Sequence, residues 1–448
     1  MSFLQFLLII VVITASYMVS YYSITVKKCD TQIPTYLSQT WNRSTSSMTS
    51  MTDAVTGNIF EMNRKRFYNG PHLALTDLKI THEIPEGRMC QKWVVITSVN
   101  PPTVVVNQLA DSDDNLCVVV VADKKSPVEY PINKNHIVYL SVEAQEKLSY
   151  RIMNLVPWNH FARKNIGFLY AIHHGAQQIF DLDDDNEFIS PNDILHQVYS
   201  MDTKEFKYVE TSQYVTNPYG IYRNGIYQTK QDSYIWPRGY PLEAIKREPD
   251  YSFIDQNRTD SSSHIHQIGI IQYLQNVNPD LDAIYRITSS IPSSFDEHLN
   301  YCMILKKHSY SPWNAQSTLF NYDTFWGLLL PMTVHGRVSD IWRSFFTQRI
   351  MWEKEECVSF CPAIVNHIRN QHQLIKDFDA EMPLYTQSEA LLQYLNEWKP
   401  VSGDIPQMIE ELYIAMYERG ILEEKDIRLV QAWIKDLYEI GYQFNLVG

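Results

Sequence analysis

The residues best suited to chemistry are a run of carboxylates, Asp181-Leu-Asp183-Asp184-Asp185-Asn186, directly after a short apolar segment. Carboxylates this close together repel one another unless a cation lies among them. Their hard oxygen atoms suit Mn²⁺, Mg²⁺ or Ca²⁺. A solvated acidic turn without a ligand is the alternative. The run is the first candidate for a functional site.

This run can be interpreted as one of three known acidic motifs. An EF-hand loop needs Gly at its sixth position and Glu at its twelfth, where this chain has Asn186 and Asn192. An aspartyl-phosphate phosphatase needs Thr or Val where Asp185 stands. The third is the Asp-x-Asp of transferases that use nucleotide sugars, in which a metal ion bridges carboxylates and a diphosphate leaving group. A strand directly before the run, and a helix before that strand, favour this third interpretation.

The elements that must position the run alternate between strand and helix patterns. Apolar, β-branched runs predict strands in "KWVVITSV", "LCVVVVAD", "HIVYLS" and "QIFDL". Apolar residues at spacings of three and four predict a helix between Pro157 and Gln178. The alternation predicts an α/β fold with ligands at the carboxyl ends of its strands.

The C-terminal part of the chain has a helical pattern from Cys361 onward. Thr386-x-x-Glu389 predicts a capping box at the start of one helix. Residues 363–448 are therefore predicted to form a helical cap or a second small domain.

Six cysteines show no spacing typical of zinc sites. Cys117 lies in an apolar run and is predicted to be a buried thiol. Cys357 and Cys361 are near enough on a helix to pair in an oxidising compartment. Two unpaired core thiols are the alternative, and the spacing does not choose between them.

Composition limits the classes of function. The chain has 448 residues, of which 45% are hydrophobic and 13% aromatic, so it can bury a substantial core and is not disordered as a whole. Its net charge of −13 disfavours nucleic acid as a partner.

The N-terminal segment Ser2–Val26 contains no charged residue and is long enough to cross a membrane as a helix. A cleaved signal peptide is the alternative, but the missing basic n-region favours an uncleaved anchor. The positive-inside rule by itself would place Lys27 and Lys28 in the cytoplasm. The glycosylation sequons at Asn42 and Asn257 instead favour a lumenal body. A Ser- and Thr-rich stretch after the anchor predicts an extended stem.

Further charged side chains could join the acidic run. Arg163 and Lys164 begin the predicted helix and could contact diphosphate oxygens, or could belong to an ordinary solvated face. His266, in His264-x-His266, could place an imidazole on the metal, although a histidine at such a position is more often simply packed.

Two more candidates lie later in the chain. Arg238 stands between Pro237 and Gly239, a rigid turn that could aim its guanidinium at a phosphate or sugar. Asp340 lies near arginines in "RVSDIWRSFFTQR" and could be a general base on the acceptor side. An exposed turn arginine and an intrahelical set of ion pairs are the respective alternatives.

Four segments in order, "RKNIGFLYAIHHGAQQIFDLDDDN", "WPRGYPLEAI", "NPDLDAIYR" and "FWGLLLPMTVHGRVSDIWRSFFTQR", resemble the STELLO family of Golgi glycosyltransferases. The likeness covers roughly Trp93 to Glu355. A more distant likeness, through the "DDD" turn and "RGYP", is to the reversibly glycosylated polypeptides, which are UDP-arabinopyranose mutases.

The resemblance implies a GT-A-like domain that binds a UDP- or GDP-sugar with Mn²⁺ or Mg²⁺ and transfers the sugar to a glycan or protein acceptor. It also implies a type II anchor in the Golgi membrane with the body in the lumen. Carried over by motif, Asp183, Asp184 and Asp185 would form the metal and diphosphate site, Asp123, Thr97 and Ser98 would lie by the nucleoside, and Arg238 would accept the sugar. The candidates argued above complete the expected site: Arg163 and Lys164 at the diphosphate, His266 on the metal and Asp340 as the base.

We therefore expect an anchor at 1–26, a stem at 27–85, a GT-A-like domain at 86–360 and a helical region at 361–448. The expected function is metal-dependent glycosyl transfer in the Golgi lumen. One alternative is a catalytically inactive transferase fold that serves as a scaffold for other Golgi enzymes. Either protein could form a homo-oligomer, or a hetero-oligomer with other Golgi enzymes. A second alternative is a self-glycosylating, mutase-like protein that carries sugar on Arg238.

Overall fold

In the computed structural model of the protein, the described residues belong to one compact unit. The predicted anchor, both sequons and His266 lie outside the described residues. Within the described part of the chain, no helix is long and apolar enough to cross a membrane. The residues described are 66–76, 78–80, 86–201, 204–223, 235–247, 250–255, 268–291, 294–295, 299–370 and 373–444.

The strands of the described residues form one mixed sheet. The chain contributes β1 (Lys92–Thr97), β2 (Leu116–Val121), β3 (Ile137–Leu140), β4 (Gln178–Leu182), β5 (Asn186–Phe188), β6 (Glu205–Glu210), β7 (Ser252–Asp255), β8 (Ile268–Asn276), β9 (Tyr301–Leu305), β10 (Ser317–Asn321) and β11 (Cys357–His367).

The strand order is β3-β2-β1-β4-β10-β8-β11-β9-β6-β7, and β5 pairs with β11 outside this path. The first four strands are mutually parallel and form what we call the parallel half. In the mixed half, from β10 to β9, β10 runs antiparallel to both β4 and β8, whereas β8 and β11 are parallel. The carboxyl ends of β1, β2, β4, β8 and β11 therefore meet at one edge of the sheet, together with the amino end of β10.

Helices cover the sheet and form most of the C-terminal region. They are α1 (Val104–Ala110), α2 (Val142–Glu146), α3 (Lys164–His173), α4 (Ile194–Tyr199), α5 (Pro218–Arg223), α6 (Ala283–Thr288), α7 (Gly336–Met351), α8 (Leu374–Ala380), α9 (Met382–Glu397), α10 (Ile405–Glu418) and α11 (Glu424–Glu439). The prediction of an α/β fold with C-terminal helices is confirmed.

Helix α3 packs tightly on the parallel half, because Gly167 lets its backbone approach the sheet. A Cβ at Gly167 would lie 2.5 Å from Cγ2 of Val121 and 2.7 Å from Cγ1 of Val95, closer than carbon atoms pack. The helix is shorter than its apolar pattern predicts, since Gly175, with φ of 86°, follows its C-terminal end. Its first residue, Lys164, is thereby placed under the carboxyl edge.

The opposite face of the sheet carries a large apolar core. β1, β2, β4, β8 and β10 all contribute fully buried side chains to it, as does β11.

Helix α7 is buried along almost its whole length, from Val338 to Met351. Its polar residues must therefore find partners inside the protein.

The predictions for the cysteines are wrong about their pairing, although Cys117 is buried as predicted. Cys117 is bonded to Cys90, and Cys361 is bonded to Cys302 rather than to Cys357. Cys357 and Cys361 both lie on β11, where a four-residue separation spans about 13 Å and excludes a disulfide. Cys357 is a buried thiol whose pKa burial raises to about 12.

Two C-terminal predictions also need correction. The chain is not helical from Cys361, because β11 continues to His367. Thr386 does not begin a helix, since α9 starts at Met382 and the Thr386 hydroxyl donates to the Met382 carbonyl one turn earlier. The proposed capping box is thus an internal turn of α9.

Part of the predicted stem packs on the C-terminal helices. The backbone N–H of Tyr68 donates to Glu418, and that of Leu73 donates to Glu410 at 2.7 Å. Arg66 forms an ion pair with Glu423. This segment is therefore tied to α10 and to the residue before α11.

Candidate active site at the carboxyl edge

The acidic run follows β4 at the centre of the carboxyl edge. Thr97 and Ser98 lie at the end of the neighbouring β1, and Asp123 lies just after β2. The parallel half thus brings these predicted residues to the same edge as the run. The three consecutive carboxylates point to three different partners, which the following paragraphs describe.

Asp183 contacts Lys164 from the helix below it. The Lys164 ammonium lies 3.0 Å from Asp183 Oδ1, 2.6 Å from Asp181 Oδ1 and 2.9 Å from each of two carbonyl oxygens, those of Leu182 and Ala315. Burial raises the pKa of Asp183 to about 7, although Lys164 acts in the opposite direction. A lysine has three donors, so these bonds disfavour the predicted contact between Lys164 and a diphosphate.

Asp184 is held by the end of β1. Its Oδ2 accepts from the Ser98 hydroxyl at 2.5 Å and from Asn100 Nδ2 at 3.0 Å. The Ser98 hydroxyl also accepts from the Asn100 backbone N–H. Ser98 and Asp184, two predicted ligand-binding residues, are therefore brought together, and Thr97 lies beside them at the end of β1.

Asp185 faces His367, the last residue of β11. His367 Nδ1 lies 2.7 Å from the Asn278 carbonyl oxygen, which can only accept, so this nitrogen carries a proton. In the neutral ring Nε2 then bears a lone pair, and it lies 3.3 Å from Asp185 Oδ2 and 2.9 Å from Gln316 Nε2. The Gln316 amide can donate to this lone pair, and a cation shared with Asp185 would stabilise the contact between the nitrogen and the carboxylate.

The backbone beside this contact is strained. Val277 has φ of 69°, a left-handed conformation that costs a β-branched residue about 1–2 kcal/mol. Its neighbours hold it there, because the Asn276 side chain accepts from Phe295 N–H and the Asn278 carbonyl accepts from His367. Strain of this kind persists where surrounding contacts over-determine the conformation, as at functional sites.

The donor set fits a divalent cation in its chemistry. Asp183 and Asp185 supply hard oxygens, and His367 supplies an imidazole whose second nitrogen is held by a carbonyl, the usual arrangement for a metal-binding histidine. Asp185 Oδ1 is buried and has no hydrogen-bond partner among the described residues. Among the described residues, these three included, no group of three or more His, Cys, Asp or Glu side chains already has the arrangement of a metal site.

Asp123 organises a loop instead of facing the edge freely. Its carboxylate accepts from three backbone N–H groups, those of Lys124 and Asn159 at 2.7 Å and of His160 at 3.2 Å. Arg163 stacks on the Trp158 ring at 3.6 Å, and burial lowers the pKa of Arg163 to about 10. These contacts hold the loop before α3, so direct contacts of Asp123 with a nucleoside and of Arg163 with a diphosphate stay predictions.

Arg238 and Asp340 are brought together, but inside the protein. The Arg238 guanidinium lies between the carboxylates of Asp280 and Asp340, with four bonds of 2.8–3.0 Å, and it also donates to the Arg337 carbonyl. The two carboxylates raise the pKa of Arg238 against the effect of burial. Neither alternative, an exposed turn arginine or an intrahelical ion-pair set, describes this cluster.

His367 is the site residue that the sequence analysis missed. The histidine expected from a late strand was His266, which lies outside the described residues. The signal that could have identified His367 is the apolar alternation of "CVSFCPAIVNH", which ends at this histidine.

The known proteins that are similar to this chain are described as glycosyltransferases. The family model of the STELLO glycosyltransferases matches residues 337–447. Two curated relatives from Arabidopsis thaliana, "Probable glycosyltransferase STELLO1" and "Probable glycosyltransferase STELLO2", are 28% and 30% identical over 364 residues. Each alignment covers 79% of this chain and 45% of the relative, so the chain spans about half the length of the curated relatives it matches. The predicted resemblance to the STELLO family is confirmed.

Proposed function

We propose that this protein is a metal-dependent glycosyltransferase that takes a nucleotide-diphosphate sugar as donor. The observation that carries the proposal is the pair of Asp185 and His367, an acidic turn and an imidazole that meet at the carboxyl edge of the sheet 3.3 Å apart. The similarity to STELLO glycosyltransferases supports the same class of reaction. In α/β sheets, this edge is where ligands bind.

The sheet supports a GT-A-like assignment of the fold. Four parallel strands in the order β3-β2-β1-β4 would form the nucleotide-binding half, and the acidic turn follows the innermost of them. The antiparallel β10 and the parallel β8 and β11 then complete the edge. The nucleoside would lie over the ends of β1 and β2 and the diphosphate near the acidic turn.

Asp183, Asp185 and His367 are the residues that would hold Mn²⁺ or Mg²⁺. The ion would neutralise the charge that develops on the departing nucleoside diphosphate. Lys164 holds Asp183 and the end of β4 from below, and Ser98 orients Asp184 toward the end of β1. These contacts fix the carboxylates before a ligand arrives, which lowers the cost of binding.

Two disulfides support a location in an oxidising compartment such as the Golgi lumen. Cys90–Cys117 and Cys302–Cys361 would not persist in the cytosol. A type II anchor at 1–26, with the body in the lumen, is compatible with them. The acceptor in that compartment would be a glycan or a protein, and other Golgi enzymes are candidate partners.

The test is calorimetric titration of the full-length chain in detergent with UDP- and GDP-sugars, with and without Mn²⁺. We expect binding that needs Mn²⁺ and is lost in the double variant D183A/D185A. The matched control is E423A/E424A, which removes two neighbouring carboxylates at the start of α11. Binding that survives D183A/D185A, or that never needs the ion, would contradict the proposal.

An inactive scaffold is the second candidate, and one observation favours it. Asp183 already has Lys164 as its counter-ion, so part of the acidic run is satisfied without a metal. A scaffold predicts a folded chain that binds no nucleotide sugar across the panel, while D183A/D185A leaves its association with other Golgi enzymes unchanged. Loss of both ligand binding and cellular activity in the same variant would exclude it.

A further inference from the structure

We infer that Arg238 is a positioning residue, which holds residues 314–316, and through them both sides of the acidic run, in place. We call residues 314–316 the bridging segment. The inference rests on the proposed function, because it assigns Arg238 a role in shaping the proposed cation site. It replaces the predicted role of Arg238 as the residue that accepts sugar.

The first step is that Arg238 has no donor left for a ligand. A guanidinium has five N–H donors. Here Nε and one N–H of Nη2 donate to Asp280, one N–H each of Nη1 and Nη2 donates to Asp340, and the second N–H of Nη1 donates to the Arg337 carbonyl. Only about 6% of the residue is exposed. An attacking nitrogen would need a free lone pair and access to a donor sugar, and Arg238 has neither.

The second step is that the two carboxylates reach the bridging segment. Asp280 Oδ2 accepts from Asn314 Nδ2 at 3.0 Å. Asp340 Oδ2 accepts from the backbone N–H of Ala315 at 3.2 Å. Each carboxylate therefore joins Arg238 on one side to the bridging segment on the other. All these groups are buried, so water does not compete for them.

The third step connects the bridging segment to the acidic run. The Ala315 carbonyl accepts from the Lys164 ammonium at 2.9 Å, and Lys164 in turn binds Asp183. The Gln316 carbonyl accepts from the Asp183 backbone N–H at 3.3 Å. The bridging segment thus fixes both the backbone and the counter-ion of the first metal-site carboxylate.

The fourth step reaches the imidazole. Gln316 Nε2 lies 2.9 Å from His367 Nε2, the nitrogen that faces Asp185. Asn314 Oδ1 accepts from the Gln316 backbone N–H at 3.1 Å and so sets the direction of this residue. A shift of the bridging segment would therefore move Lys164 and His367 together, which lie on opposite sides of the acidic run.

The test compares R238K with R349K in the full-length chain in detergent. Lysine keeps the charge of Arg238 but cannot reach both carboxylates with paired bonds. R349K changes a second buried arginine, which lies on α7. Arg349 binds Glu353 and the Trp398 carbonyl and does not contact the bridging segment. Mn²⁺ affinity is measured by electron paramagnetic resonance, and thermal unfolding shows that both variants are folded.

We expect R238K to weaken Mn²⁺ binding by about tenfold or more, as loss of an outer-shell partner does, and R349K to leave it within about twofold. Equal Mn²⁺ affinity in folded R238K and wild type would overturn the inference. So would a mass spectrum with a sugar on the Arg238 peptide after incubation with donor.

Hydrogen exchange gives a readout that does not need the metal. In R238K the peptides that contain residues 183–188 and 314–318 should lose protection, whereas in R349K they should not. A wild-type chain that binds no Mn²⁺ would defeat the proposed function, and exchange would still decide the positioning role. Uniform loss of protection over the whole of R238K would contradict that role.

Discussion

The parallel half and the mixed half of the sheet contribute different things to the carboxyl edge. The parallel half supplies the acidic run and its supports, Ser98 and Lys164, which lie near one another along the chain or in neighbouring strands. The mixed half supplies His367 and the bridging segment from parts of the chain far apart in sequence. Half of the site is therefore a local feature of the parallel α/β half, whereas the other half of the site depends on long-range packing.

Each half carries one disulfide, and their removal gives the largest expected effects on stability. The loops they close span 27 residues for Cys90–Cys117 and 59 for Cys302–Cys361. Chain entropy then gives stabilisations of about 3.6 and about 4.2 kcal/mol. We expect C302A/C361A to lower the free energy of unfolding by slightly more than C90A/C117A in urea denaturation.

The two disulfide variants should also differ in metal binding, which distinguishes the two halves of the sheet. Of the four disulfide-bonded cysteines, only Cys361 lies on β11, the strand that ends at His367, so C302A/C361A should weaken Mn²⁺ binding while C90A/C117A should not. The opposite pattern would mean that β11 does not position the imidazole.

G167A probes the parallel half. The added methyl group would overlap Val121 and Val95, and overpacking of this kind costs about 1–3 kcal/mol. Chemical denaturation should show this loss, and displacement of α3 should also weaken Mn²⁺ binding through Lys164. Gly403 is the matched control, because a Cβ there meets nothing within 4 Å. A stability loss for G403A as large as that for G167A would contradict the close helix–sheet contact.

H367Q probes the mixed half. Loss of the imidazole should weaken Mn²⁺ binding by about tenfold or more, roughly 1.4 kcal/mol. The matched control in the parallel half is H136Q, since His136 is equally buried but contacts the Leu109 carbonyl and Asp114 instead of the acidic run. An H136Q variant that loses as much Mn²⁺ affinity as H367Q would show that the effect is not local.

V277G has the smallest expected effect. Together with its control in the parallel half, it compares backbone strain in the two halves of the sheet. Glycine would release about 1–2 kcal/mol of left-handed strain and lose about 0.5–1 kcal/mol to chain entropy. The net gain in unfolding free energy should stay below about 1.5 kcal/mol. The control is N159G in the parallel half, because asparagine tolerates the φ of 55° that Asn159 adopts. A larger gain for N159G than for V277G would contradict this assignment of strain.

The sequence predicted the parallel half well because its signals are local. Its strands are short apolar runs bounded by turns, and the apolar spacing before Gly175 identified α3. The mixed half was harder to read. Pro362 interrupts β11 and coincides with a register shift between Cys361 and Val365, which weakens the strand pattern that would have placed His367.

The burial of Arg238 could not be predicted from its neighbours in sequence. Its two carboxylate partners, Asp280 and Asp340, are 42 and 102 residues away. The local pattern of Pro237 and Gly239 correctly indicated a tight turn, and Gly239 has φ of 86°. Whether that turn faces solvent or the core depends on the packing of α7, which a single sequence does not reveal.

The central claim is that one cation is shared by the acidic turn of the parallel half and the histidine of the mixed half. A double-mutant cycle of Asp185 and His367 tests it most directly, with the Mn²⁺ affinity of wild type, D185N, H367Q and D185N/H367Q measured by electron paramagnetic resonance. The account predicts that each single variant binds Mn²⁺ more weakly and that their losses do not add in the double variant. An H367Q variant that binds Mn²⁺ like the wild type, or losses that add exactly as for independent sites, would contradict it.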